Sequence, residues 1–227
     1  MELRAEKVSR RFLRAAKGTN IFYAVRDVDF TLAAGKLTEI TGRSGSGKST
    51  LLNMLAGLLA PTEGRILLDG TDLYSLDDAE LSALRNRSIG VIPQGQTGLH
   101  SLTVLENVLL PCRMYGAESD EEKALRLLEH VGIAQLRDVS PSALSGGEMR
   151  RLAIARAMMQ SPGILLADEP TGDLDDENTT AVLKLLRDYA GVGKAVLLVT
   201  HEREAAAYAD AVYTMREGQL DLDSGRK

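Results

Sequence analysis

Along the chain, short apolar runs alternate with longer segments in which apolar residues recur every three or four positions. The runs at 37–41, 66–68, 89–92, 164–167 and 196–200 predict strands. Several lack polar residues at alternate positions, the pattern of strands covered on both faces. The segment after Gly47 predicts a helix with Leu51, Leu52, Leu55, Leu58 and Leu59 on one stripe and Pro61 beyond its end. A second helix is predicted after Ser119, with Ala124, Leu127, Leu128 and Val131 facing one way and Gly132 as the stop. A third is predicted over 178–189, with Ala181, Val182, Leu185 and Leu186 inward and Gly191 beyond it. Between about Gln94 and Gln160 no run reads as a strand, so this stretch predicts a helical insertion. Strands alternating with helices imply an α/β fold built on a mainly parallel sheet.

Composition narrows the class. With 227 residues and no long Pro/Gly/Ser linker, repeat or low-complexity tract, the chain reads as one folding unit. Hydrophobic residues at 44 % and a net charge of −5 argue against intrinsic disorder. No apolar run reaches the ~18–20 residues of a membrane-spanning helix, and the charged N-terminal residues do not form a secretory signal. Cys112 is the lone cysteine, so no intramolecular disulfide can close, and no Cys/His cluster has zinc-ligand spacing. Mild acidity argues against a nucleic-acid partner. These features are those of a soluble protein of a reducing compartment.

Gly42-Arg43-Ser44-Gly45-Ser46-Gly47-Lys48-Ser49-Thr50 fits the phosphate-binding pattern G-x-x-x-x-G-K-[ST] without mismatch, between an apolar strand and an amphipathic helix. The glycines let backbone N–H groups converge on phosphate oxygens, and the helix N-terminus adds partial positive charge there. Lys48 would neutralise β/γ-phosphate charge, and Ser49 would offer its hydroxyl oxygen to Mg²⁺. A loop of this kind alone does not choose between kinase, GTPase, motor and transport ATPase.

Two further features do. The 164–167 run ends in Asp168-Glu169-Pro170. Charges at the C-terminal end of a buried strand face the phosphate crevice. Asp168 there suits an indirect hold on Mg²⁺, through water or through the groups that bind the ion, and Glu169 suits polarising the attacking water. Leu144-Ser145-Gly146-Gly147-Glu148 opens another helix, and Ser145 with Glu148 forms a capping-box pattern. A cap alone does not need two glycines in a first helical turn, which they weaken. Their absent side chains would let a phosphate approach closely.

With these motifs in place, the chain resembles the nucleotide-binding subunit of an ABC transporter over essentially all of its length. The resemblance implies a P-loop NTPase with an N-terminal antiparallel β subdomain and an inserted helical subdomain. The core would span about 1–93 and 160–227, and the helical part about 94–159, within a single domain 1–227. It implies that Ser145, Gly146, Gly147 and Glu148 act in trans, on ATP bound by a second identical or homologous subunit. Glu148 stands where the family usually has Gln. By the same resemblance, Gln94 matches the glutamine that touches Mg²⁺ and signals to the membrane partner. Asp175, in Thr171-Gly172-Asp173-Leu174-Asp175, matches the aspartate crossing between subunits. His201 matches the histidine contacting the γ-phosphate, and Phe12 the aromatic residue stacking on adenine, usually Tyr. Lys48, Gln94, Glu169 and His201 form the implied catalytic set, with Mg²⁺ held by Ser49, Gln94 and Asp168.

The segment Leu102-Thr103-Val104-Leu105-Glu106-Asn107-Val108, with Pro111 after it, resembles ATPases of the lipoprotein-releasing and macrolide-efflux type, and so does the 167–175 stretch. That branch pairs with FtsX-like permeases on the inner face of the plasma membrane and moves lipids, peptides or antibiotics. The chain's end soon after Gly218 agrees with this branch, which carries no C-terminal regulatory domain. Gly95-Gln96-Thr97-Gly98-Leu99 departs from the branch's aromatic pattern in the loop that would meet the permease. Two other readings stand beside this one. A soluble scaffold ATPase of the iron–sulfur-assembly kind would need no permease. A P-loop kinase would leave Ser145–Glu148 and His201 without a task.

Overall fold

The computed structural model describes residues 1–16, 18–95, 97–116, 120–172 and 174–223. Ser119, Gln96 and Asp173 of the sequence motifs lie outside them. Two sheets carry the fold. The first is antiparallel, in the order β2 (Gly18–Leu32), β1 (Leu3–Ala16), β4 (Glu63–Leu68), β5 (Thr71–Asp72). The second contains β3 (Leu37–Thr41), β6 (Ile89–Ile92), β7 (Ile164–Asp168), β8 (Ala195–Val199), β9 (Ala211–Arg216) and β10 (Gln219–Leu222), in the order β10-β9-β3-β8-β7-β6. Its pairs are parallel except β10 with β9, which form a hairpin. All residues of β7 and β8 are buried, which explains why those runs carry no polar alternation.

Six α-helices are present among the described residues: α1 (Lys48–Leu55), α2 (Asp78–Ser88), α3 (Val104–Met114), α4 (Glu121–His130), α5 (Gly146–Met158) and α6 (Asp176–Gly191). Helix α1 packs Leu51, Leu52, Met54 and Leu55 against Val8, Val25 and Phe30 of the antiparallel sheet and against one face of the parallel one. Helices α3, α4 and α5 share a second core with α6 and with Leu165, Ala167, Val196 and Leu198 on the opposite face. The 94–160 stretch is helical as expected, with no strand among its described residues.

Three sequence expectations need correction. Helix α1 ends at Leu55, and Gly57 follows with φ +69, so Leu58 leaves the helical stripe and is exposed. Helix α6 begins two residues earlier than expected, with Asp175 as its cap, and runs through Gly191; Gly193, at φ +84, takes the left-handed position beyond its end. Within α6, Ala181 faces solvent and Leu183 takes its place in the core, because Val182, Leu183, Leu185 and Leu186 define the buried arc. Helix α2 went unread although its start carries a full capping box, Asp77 with Glu80.

One buried amide fixes the start of the helical stretch. Asn107 is fully buried in α3. Its Oδ1 accepts from Leu99 N at 2.8 Å, and its Nδ2 donates to the carbonyls of Leu99, Leu102 and Thr103 at 3.0, 3.4 and 2.8 Å. It thus satisfies backbone groups that a loop beside a core would otherwise leave orphaned. Asn107→Ala is expected to cost about 2–4 kcal/mol, the penalty for several buried groups losing partners. Urea unfolding of the variant checks this, and a loss below about 0.5 kcal/mol contradicts the role.

Candidate functional site

The phosphate-binding loop bridges β3 and α1, and main-chain contacts tie it to its neighbours. Gly47 has φ +111, and a Cβ there would lie 2.0 Å from the Ala24 carbonyl oxygen of β2. Ala24 is the extra residue of an irregularity in the β1–β2 pairing, where Arg10 faces Val25 and Arg11 faces Tyr23. Gly218, in the β9–β10 turn, donates its N–H to Ser46 O at 3.0 Å and accepts from Arg26 N at 2.8 Å. The loop, the antiparallel hairpin and the far edge of the parallel sheet are therefore tied at one point. Lys48 is buried, and its Nζ donates to the Gly42 and Arg43 carbonyls at 2.7 and 3.1 Å.

A cavity of about 340 Å³ opens over this loop. It is lined by Phe12, Phe22 and Ala24 of the hairpin, by Ser44, Gly45, Gly47, Lys48, Ser49 and Thr50, and by Gln94 and Glu169. Small-ligand sites start at about this size. One end is aromatic and the other is rich in backbone N–H groups. Gly42, Arg43, Ser46 and His201 line a second hollow on the other side of the loop, together with Thr214–Glu217. A hollow of about 910 Å³ on the antiparallel sheet, around Arg4, Glu6 and Arg65, holds none of the motif residues.

At the phosphate end, β7 delivers two carboxylates into different surroundings. Asp168 is the last residue of the strand and is buried. Burial pushes its carboxyl above the usual range and the Glu169 charge acts the same way, while a hydrogen bond from Ser49 and the charges of Lys48 and Arg150 oppose. Its Oδ1 has no hydrogen-bond partner. Glu169 leaves the strand with φ +48, a left-handed backbone uncommon outside glycine, fixed by its N–H donating to Val199 O at 2.8 Å. That turn carries its carboxylate to Gln94, whose Nε2 donates to Oε2 at 2.8 Å, and to His201, whose Nδ1 lies 3.2 Å from Oε1.

The loop bearing Gln94 is clamped by α5, whose first turn is the Ser145–Glu148 motif. Arg150 Nη1 donates to Pro93 O at 2.8 Å. Arg156 donates to Thr97 O at 2.7 Å and to Thr97 Oγ1 at 2.6 Å, and burial lowers the pKa of its guanidinium. Ser145 caps α5: Glu148 N donates to its Oγ at 3.3 Å, and Ser145 N and Oγ both donate to Glu148 Oε2 at 2.8 Å. Those hydrogen bonds hold the Glu148 carboxyl below its ordinary range. Asp175 caps α6 by accepting from Asn178 N at 2.8 Å, and Arg151 reaches Asn178 from α5. Neither Ser145–Glu148 nor Asp175 lines the cavity over the phosphate loop.

The sequence reading thus brings nine of its residues (Phe12, Ser44, Gly45, Gly47, Lys48, Ser49, Thr50, Gln94 and Glu169) to one cavity wall. His201 joins them through Glu169. It missed Arg150 and Arg156, which lie at the spacing of the buried face of α5, and Phe22, which pairs with Phe12 across β1 and β2.

The family profile described as ABC transporter matches residues 25–172. The chain belongs to the ABC transporter family. Its relatives include the lipoprotein-releasing system ATP-binding protein LolD of Xanthomonas campestris, 38 % identical over 96 % of this chain and 91 % of that one. The macrolide export ATP-binding/permease protein MacB of Chlorobaculum tepidum is 41 % identical over 92 % of this chain. This chain spans 32 % of MacB's length. Among solved structures, the dimeric, post-hydrolysis ATP-binding cassette MJ0796 bound to ADP and Pi matches with a TM-score of 0.91 and 33 % identity, over 99 % of both chains. The chain is accordingly an ATPase cassette of the ABC family. Among the described residues no helix is long and apolar enough to cross a membrane.

Gly218 yields a prediction outside the sequence motifs. It has φ +83, and a Cβ there would lie 3.1 Å from Ala24 O and 3.3 Å from Val25 Cα. Gly218→Ala is expected to lose about 1–3 kcal/mol of stability through left-handed strain and crowding. It should also weaken ATP binding, because the phosphate loop hangs on that turn. Unfolding curves and nucleotide titration check both, and an unchanged affinity at reduced stability contradicts the link.

Proposed function

We propose that this cassette works as a head-to-tail dimer that drives a membrane permease, in the manner of an exporter or extractor of lipid, peptide or antibiotic. We further propose a single domain over 1–227, with a catalytic core of about 1–93 and 160–227 and a helical part of about 94–159. The observation that carries the mechanism is the Glu169 carboxylate, bonded at once by Gln94 and by His201 at the mouth of the phosphate site.

In this reading the backbone N–H groups of 42–50 and the Lys48 ammonium bind the phosphates. Phe12 stacks on adenine. Glu169 takes the proton of the attacking water, with Gln94 and His201 holding its two oxygens so that a remaining lone pair is free for that water. His201 and Lys48 offset the charge that grows on the transferred group. The residues present fit a divalent cation: Asp168 Oδ1 is buried without a partner, and the Ser49 hydroxyl lies against the same carboxylate. Ser49, Gln94 and Asp168 would hold Mg²⁺, which supplies charge neutralisation between the phosphates.

Ser145–Glu148 and Asp175 lie away from the cavity wall of their own chain, which supports a role on the nucleotide of the partner subunit. The solved dimers of similar cassettes support the same arrangement. Arg150 and Arg156 join the Ser145 helix to the Gln94 loop, so a shift of either moves the other. Closing and reopening of the dimer around ATP would reach the permease through that loop. The names of the relatives, lipoprotein release, macrolide export and syringafactin export, favour transport over the scaffold reading. A place on the inner face of the plasma membrane follows from permease binding.

Glu169→Gln is expected to bind ATP with near wild-type affinity, to lose about 10²-fold or more in turnover, and to accumulate as an ATP-bound dimer. Steady-state phosphate release and light scattering check this. Undiminished turnover removes Glu169 from the role of base. Purifying the protein from detergent-solubilised membranes should recover a multi-span permease, and its absence favours the scaffold.

A further inference from the structure

We infer that Arg10 is a positioning residue for the base of the bound nucleotide, acting as the pedestal beneath the Phe12 ring. The inference deepens the adenine-stacking role proposed for Phe12 and rests on that reading. Phe12 stands near the tip of a long hairpin, is 39 % exposed, and has no hydroxyl with which to tie itself down. A bare ring there would sample several rotamers, and each stacking event would have to order it.

Arg10 supplies the missing restraint. Residues 10 and 12 lie two apart on β1 and therefore share a face. The Arg10 guanidinium carbon lies over the Phe12 ring, 4.9 Å from its centroid. Planar guanidinium on an aromatic face is a favourable stack, and it covers one side of the ring while leaving the other for a base. The guanidinium is itself held at one end, where Nη1 donates to Ala60 O at 2.9 Å, while Nε is buried without a hydrogen-bond partner. The 60–62 segment to which it is bound is zipped to β1, since Thr62 N donates to Ser9 O at 2.7 Å and Arg11 N donates to Thr62 Oγ1 at 3.3 Å. The turn just before it is closed by the Tyr74 hydroxyl, 2.7 Å from both the Met54 and Leu59 carbonyls. That turn is the exit of α1, the helix whose first residue is Lys48. Arg10 thereby refers the ring that meets the base to the helix that meets the phosphates, by a route separate from the Gly47–Ala24 contact.

The chemistry also says what Arg10 does not do. Its guanidinium is spent on the ring and on Ala60 O, on the far side of Phe12 from a stacked base, so it contributes orientation rather than charge at the phosphates. A truncated substrate separates these roles. Arg10→Met keeps the stem and removes the cation. Steady-state kinetics of wild type, Arg10→Met, Phe12→Ala and the double variant should be compared on ATP and on ribose 5′-triphosphate, which has no base. Arg10→Met is expected to raise KM for ATP by about 3- to 10-fold with kcat unchanged. It should leave KM for ribose 5′-triphosphate unaltered, and it should add nothing to the loss caused by Phe12→Ala. Equal losses on both substrates, or additive losses in the double variant, overturn the pedestal role and make Arg10 a charge or packing residue. An ATP KM unchanged by Arg10→Met while Phe12→Ala raises it overturns the inference alone. A Phe12→Ala variant with unaltered ATP KM overturns the stacking reading and the pedestal with it.

Discussion

The contact on which the rest of the structure depends is one backbone pressed against another: Gly47 of the phosphate loop on the Ala24 carbonyl of the hairpin. With a Cβ position only 2.0 Å from that oxygen, no other residue type fits without moving one sheet away from the other. The consequence is geometric. The aromatic end of the cavity belongs to the antiparallel sheet and the phosphate-loop end to the parallel one, yet their separation is set by main-chain contact and not by rotamers. Gly218 repeats the device from the other side, with hydrogen bonds to Ser46 and Arg26. The buried leucines of α1 then make the joint cooperative, since they pack against both sheets.

The second constraint is the anchoring of the loop that follows β6. Asn107 grips residues 99–103 from α3, while Arg150 and Arg156 grip Pro93 and Thr97 from α5. A loop so heavily bonded does not act as a flexible tether. It moves with the helices that hold it or it breaks buried polar bonds at a cost of roughly 1–3 kcal/mol each. Such stiffness lets a change at the Gln94–Glu169 contact be felt at the helical face. The arginines of the clamp meet the backbone carbonyls of Pro93 and Thr97 and also the Thr97 hydroxyl oxygen, so Thr97 takes part through its side chain as well as its main chain.

Much of this was legible in the sequence, and the reasons differ by element. Of the five runs that read as strands, four match strands of the parallel sheet to within about one residue, because both faces are covered and the runs are uninterrupted; the fifth, at 66–68, is the inner end of a longer antiparallel strand. The phosphate loop and the Asp168-Glu169 pair declare themselves because only glycine, lysine and a strand-end carboxylate suit those places. The end of α1 is misread because Leu58 keeps helical spacing, while the actual turn is set by Gly57 in left-handed backbone; the start of α6 is set by the Asp175 cap, and Ala181 shares helical spacing with the buried arc while facing solvent. The capping boxes at Asp77 and Thr103 were visible as D-x-x-E and T-x-x-E, yet they carry no chemistry and drew no notice. Arg10, Arg150 and Arg156 were hidden for another reason. An arginine in a surface-like pattern gives no sign that its guanidinium folds back onto a carbonyl or a ring.

Adjacent carboxylates at one strand end show how the fold divides labour between chemically similar groups. Had the strand continued regularly past Asp168, residue 169 would point to the opposite side of the sheet from residue 168. The left-handed turn at Glu169 replaces that outcome. It leaves Asp168 in the dry end of β7, where its unpartnered Oδ1 is an open acceptor beside Ser49. It swings Glu169 into partly hydrated space, where amide and imidazole hold both oxygens. A buried acceptor without a donor is costly unless a cation meets it. The strain at one residue therefore places two adjacent carboxylates in different surroundings. That strain is sustained by the Glu169–Val199 hydrogen bond, an extension of the β7–β8 ladder, so the most buried part of the parallel sheet keeps the reactive turn in place.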